Sequence, residues 1–79
     1  MNNLEIFKNE QFGEIRTLQK ENGIWFVGKD SAECLGYKNT RDAIIKHVFA
    51  DDKVVGQVDT PGGKQNMILI NESGLYSLG

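Results

Sequence analysis

At 79 residues, 39% of them hydrophobic, the chain has room for one small domain, near the lower size at which a core alone offsets chain entropy. Cys34 is the only cysteine, which excludes an intramolecular disulfide and most cysteine-based zinc sites, and no run approaches the length of a membrane-spanning helix. The formal net charge of −2 weighs against a generally basic nucleic-acid binder, so any such role must rest on local charge.

In chain order, Leu4 to Lys8, Ile15 to Lys20 and Ile24 to Val27 read as strands, with Asn22-Gly23 as the hairpin signal between the last two. Trp25, Phe26 and Val27 are apolar on both faces of their strand, a pattern that places it centrally in a sheet. Asp30 predicts a helix start, its carboxylate capping free backbone N–H groups while Glu33 reaches back as in a capping box. Ala32 and Leu35 can face a core, and Gly36 is expected to end that short helix in the left-handed conformation. A second helix opens at Asn39 or Thr40, with Ile44, Ile45 and Val48 on one stripe and the pair Asp42 and Lys46 on the opposite face. His47, on the edge of that stripe without a triad or metal partner, reads as a partly buried structural histidine. Asp51-Asp52 cap or break a turn. Lys53 to Thr60 and Lys64 to Ile70 form a second hairpin around Pro61-Gly62-Gly63, and a last helix starts between Asn71 and Ser73. The aromatic residues Phe7, Phe12, Trp25, Phe26, Tyr37, Phe49 and Tyr76 are spread so that they can converge on a single core.

These elements predict an α+β fold: a small mixed domain with an N-terminal antiparallel sheet, a helix-turn-helix-like pair and a C-terminal β-hairpin. A hairpin next to a helix-turn-helix is the grammar of a winged helix, in which the second helix enters the major groove and the hairpin lies against phosphates. The first sheet is larger than a winged helix needs, so a mixed domain that contains a helical hairpin fits equally well. The candidate DNA contacts are Lys38, Asn39, Thr40 and Arg41 at the start of the second helix, with Lys46 and, at the hairpin tip, Lys64. Arginine offers a fork for guanine or phosphate, and asparagine an amide for adenine. Each also has a plain structural reading: Asn39 as a cap, Lys46 as the partner of Asp42, Lys64 as a polar loop residue. Lys38, Arg41 and Lys46 face the single acid Asp42 in this stretch, whereas Glu5, Glu10, Glu14, Glu21, Asp30 and Glu33 make the chain before Gly36 acidic. No nucleophile, base and oxyanion set can be assembled, so a non-enzymatic domain without metal or cofactor is expected. Gly62-Gly63-Lys64 lacks the spacing and context of a phosphate loop.

The ordered segments FVGKD-x-AE-x-LGYKN-x-RDAI-x-x-HV, from Phe26 to Val48, and ILINESGLYSL, from Ile68 to Leu78, resemble the N-terminal domain of the BRO family (Bro-N). That domain occurs in phage antirepressors and in baculovirus repeated-ORF proteins. The resemblance spans almost the whole chain and implies a DNA-binding or regulatory module of the phage lysis–lysogeny circuit, usually followed by a separate C-terminal domain. The implied partner is double-stranded DNA; the alternative is a phage repressor protein, held without DNA by the acidic first sheet. A homodimer is consistent with the symmetric half-sites such modules read. The lone Cys34 and the lack of a signal peptide fit the cytoplasm of a bacterial host. Two departures stand out. Relatives continue past GLYSL into a longer helix and a lysine-rich stretch, so the domain's C-terminal end is expected to be incomplete, with Leu75 and Leu78 short of partners. Thr40 stands where many relatives carry proline, and either residue suits a helix start.

Overall fold

The structure, a computed structural model, describes residues 4–10 and 13–79, so Phe12 lies outside the described residues. Strands β1 (Leu4–Asn9), β2 (Gly13–Lys20) and β3 (Gly23–Val27) precede helices α1 (Gly28–Cys34) and α2 (Thr40–His47); a 3-10 turn (Ala50–Asp52) then leads to β4 (Lys53–Thr60), β5 (Gly63–Ile70) and helix α3 (Glu72–Leu78). All strands pair antiparallel in one five-stranded sheet of order β1-β2-β3-β5-β4, which makes β3 central, as its two apolar faces require. Lys20 pairs with Gly23, so the first hairpin loop is Glu21-Asn22, one residue earlier than expected. Asn22 is held in that loop by the Trp25 indole N–H, which donates to its Oδ1 at 3.0 Å.

β5 meets β3 only at Phe26↔Ile70 and Val27↔Leu69, whereas β4 and β5 pair along their whole length up to Thr60↔Gly63. The second hairpin is therefore part of the sheet at its base and a two-stranded ribbon beyond it, rather than a separate wing. Alternation along the strands divides the buried side chains between two faces. On the helical side Ile15, Phe26 and Ile70 meet Ala32, Ala43, Ile44, Val48, Leu75 and Leu78. On the other, Leu18, Trp25, Val27 and Leu69 pack with Val58 of β4.

Several local expectations are corrected. Asp30 caps nothing: α1 opens at Gly28 directly from β3, and the Asp30 carboxylate accepts from the backbone N–H, Nε and Nη2 of Arg16 at 3.0, 2.7 and 2.9 Å. A guanidinium is a stronger, charge-assisted partner than a helix-end amide, and it wins. Glu33 accordingly does not reach back and lies 4.0 Å from Lys29. On α2 the buried stripe is Ala43, Ile44 and Val48, while Ile45 is 57% exposed, because adjacent helical residues lie about 100° apart. His47 is exposed and rests against the Tyr37 ring at 5.7 Å. Leu75 and Leu78 are buried, not short of partners. Asn71 makes this possible: its Oδ1 accepts from Gly74 N–H at 2.8 Å to cap α3, and its Nδ2 donates to Asp52 Oδ1 at 3.1 Å, tying α3 to the 3-10 turn. No helix among the described residues is long and apolar enough to cross a membrane.

Candidate nucleic-acid interface

The site begins with the turn between the two helices. Gly36 ends α1 at φ 91°, where its N–H donates to Glu33 O at 3.0 Å and the Tyr37 N–H donates to Ala32 O at 3.1 Å, a Schellman closure that only glycine enters cheaply. Asn39 then starts α2, its Oδ1 accepting from the Asp42 N–H at 3.1 Å. The cap fixes where Thr40 and Arg41 emerge. Gly28 sets the depth at which α1, α2 and β5 meet, since a Cβ there would come within 2.8 Å of Ile44 Cδ1 and 3.1 Å of Ile68 O.

Between these elements lies a groove of about 310 Å³. Val27, Ile44, Met67 and Ile68 supply its apolar lining, and Arg16, Lys29, Thr40, Arg41, Gln65 and Asn66 its polar lining. Three cations from three elements converge there, and among the described residues no carboxylate lines it. They are not equivalent. Arg16 is committed to Asp30, whose hydrogen bond holds the guanidinium pKa above its usual value. Burial pushes the Asp30 carboxyl up, but the hydrogen bonds and charge of Arg16 outweigh it and leave the group below the ordinary carboxylate range. Lys29 and Arg41 are exposed and line the groove, Lys29 in a loose, solvent-exposed pair with Glu33 at 4.0 Å.

Of the six residues singled out in the sequence, Thr40 and Arg41 line the groove. Asn39 is turned into the helix as a cap. Lys38 is exposed in the preceding turn, and Lys46 is ion-paired with Asp42 at 3.0 Å; neither lines the groove. Lys64 is exposed on the ribbon beside Gln65, with Asp59 as its cross-strand partner. The sequence reading missed Lys29, Gln65 and Asn66. Lys29 sits inside the GKD segment, but nothing in the local pattern signals that β5 will run past α1.

Next to the groove, with Arg41 on the boundary, is a second hollow of about 290 Å³ lined by Ile45, Ala50, Lys53, Val54, Val55 and Ile68. Ile45 and Val55 are 57% and 71% exposed.

Residues 14–79 match the family model described as BRO family, N-terminal domain. A Bro-N domain-containing protein of Invertebrate iridescent virus 6 is 33% identical over 72 residues, covering 68% of this chain and 17% of the viral protein. An uncharacterized protein of Haemophilus influenzae is 34% identical over 61 residues, covering 77% of this chain and 30% of that protein. The chain thus spans under a third of the length of either relative. No solved structure matches it significantly.

Proposed function

The chain belongs to the BRO family through its N-terminal domain, and from that premise we propose that it is a non-enzymatic regulatory module that binds double-stranded DNA, as in a phage antirepressor. The observation that carries the reading is the groove at the start of α2, whose described lining residues include Arg16, Lys29 and Arg41 and no carboxylate, on a chain of net charge −2. Affinity of this kind comes from phosphate neutralisation, which needs local cations more than overall charge. Arg41 is the residue on which it turns, because the Asn39 cap fixes the first turn of α2 and so directs its side chain.

Fluorescence anisotropy with a labelled mixed-sequence duplex at low salt tests this. Arg41→Glu is expected to weaken binding at least about tenfold and to flatten the salt dependence. Arg41 is exposed, so the fold should survive the change. Affinity equal to wild type would remove Arg41 from the interface.

One observation favours the second reading, a protein partner such as a phage repressor. The hollow beside the groove presents Ile45 and Val55, and Phe49 nearby in sequence is 73% exposed. Exposed aliphatic and aromatic groups next to Arg41 and Lys53 are the composition of a protein contact more than of a phosphate contact. Glu5, Glu10, Glu14 and Glu21 are also exposed, available to complement a basic partner. Capture of a repressor that persists in excess DNA would favour this reading.

A further inference from the structure

The roles within the DNA surface divide differently from a helix-turn-helix. We propose that the β4–β5 ribbon reads the bases through Asn66, while Arg41 and Lys29 hold the backbone; this rests on the DNA-binding reading above. The argument starts from what α2 has left to read with. Asn39 has spent its amide oxygen on the Asp42 N–H. Asp42 and Lys46 are joined to each other at 3.0 Å. Ile45, the next outward residue after Arg41, offers no hydrogen bond. An eight-residue helix so occupied brings Arg41 and the Thr40 hydroxyl to the groove, with the exposed His47 at its far end outside the lining, and an arginine alone serves phosphate as readily as guanine.

The ribbon is differently equipped. From Gly63 to Met67, β5 pairs with β4 on one side and with no β3 residue on the other, and Gly28 of α1 closes on the strand only at Ile68, so this stretch of edge is open toward the groove. Adjacent strand residues face opposite ways: Gln65 shares the face of Val58, Met67 and Leu69, whereas Asn66 shares the helical face of Ile68 and Ile70. Asn66 lines the groove and is exposed, and its side chain has no hydrogen bond to another described residue. A two-stranded ribbon fits the roughly 12 Å major groove, and an asparagine amide matches the paired N6 and N7 positions of adenine. Lys64, two residues away on the same face, adds a cation at the ribbon's end. A base-reading amide flanked by cations, with no carboxylate among the described residues that line the groove, suits nucleic acid better than an extended acidic peptide, which the open strand edge could also take.

The test is selection from a randomised duplex library by the 79-residue chain and by Asn66→Ala, with Gln65→Ala, on the opposite face, for comparison. Wild type should enrich a short motif. Asn66→Ala should lose about tenfold or more of the preference at an adenine position, and lose more affinity for the enriched motif than for mixed-sequence duplex, whereas Gln65→Ala should still enrich the motif. Lys29→Ala should weaken all sequences alike. Equal thermal melting of the four proteins controls for folding. A motif retained by Asn66→Ala, or lost equally in Gln65→Ala, overturns the reading by this face of the ribbon and leaves the DNA-binding reading standing. No preference in wild type also overturns it. Failure of wild type to bind any duplex at low salt sinks the DNA-binding reading itself, and binding of an acidic peptide in its place would assign the open edge to protein.

Discussion

Asp30 and Arg16 show how one ion pair can both brace a site and tie it to pH. Their side chains are 15% and 38% exposed, and three hydrogen bonds of 2.7–3.0 Å join β2 to α1 at the wall of the groove. Charge-assisted bonds in partial shelter contribute about 1–2 kcal/mol after discounting for the exposed guanidinium. Because Asp30 ionises more readily in the folded chain than in the unfolded one, it stabilises the fold above the unfolded carboxylate pKa of about 4. That contribution is lost as the pH falls through about 4 and below. Asp30→Asn should therefore lower Tm by several degrees at pH 7, given about 4–8 °C per kcal/mol for a domain of this size. The gap should close as thermal melts are repeated toward pH 3. Parallel curves across that range would show that the pair adds no net stability.

The junction of α1 and α2 is where sequence and structure agree most closely, and a single position tests it. Gly36 sits at φ 91° with nothing within 4 Å of an added Cβ, so Gly36→Ala meets no neighbour and suffers only backbone strain. The expected cost is about 1–2 kcal/mol in chemical denaturation, with an unchanged m-value. A cost near zero would mean that the turn relaxes into another conformation. Gly36, the Asn39 cap and all five strands were legible because each depends on the residue itself or on a pattern a few residues long. What was not legible involves choices between competing partners or contacts between distant segments. Asp30 has the sequence signature of a helix cap, yet Arg16, 14 residues earlier, takes its carboxylate. Ile45 looks as apolar as Ile44, and only the way α2 docks on the sheet decides which of them is buried. The candidate site was half read for the same reason. Thr40 and Arg41 announce themselves at a helix start, whereas Gln65 and Asn66 become part of the groove only because β5 overruns β3 by several residues.

At the scale of the whole molecule, charge decides how the domain would approach DNA. The chain carries 9 Lys and Arg against 11 Asp and Glu, so a duplex meets no general attraction. Attraction must come from the end of the molecule where α1, α2 and the ribbon place Lys29, Arg41 and Lys64, each exposed. If these three neutralise one phosphate each, the logarithm of affinity should fall with the logarithm of salt at a slope of about −3, from about −0.9 per contact. Removing any one of them to alanine should bring the slope close to −2. Lys8 gives the contrast: it lies on the edge strand β1, 3.6 Å from Glu14, and away from the groove. Lys8→Ala should leave the slope where it was, although it removes the same formal charge. A slope that shifts equally for Lys8 and for Arg41 would mean that DNA senses only net charge and has no fixed seat on the protein. A slope that responds to these three cations alone would localise the backbone contacts to that end, and Asn66 on the ribbon would then lie within reach of the bases.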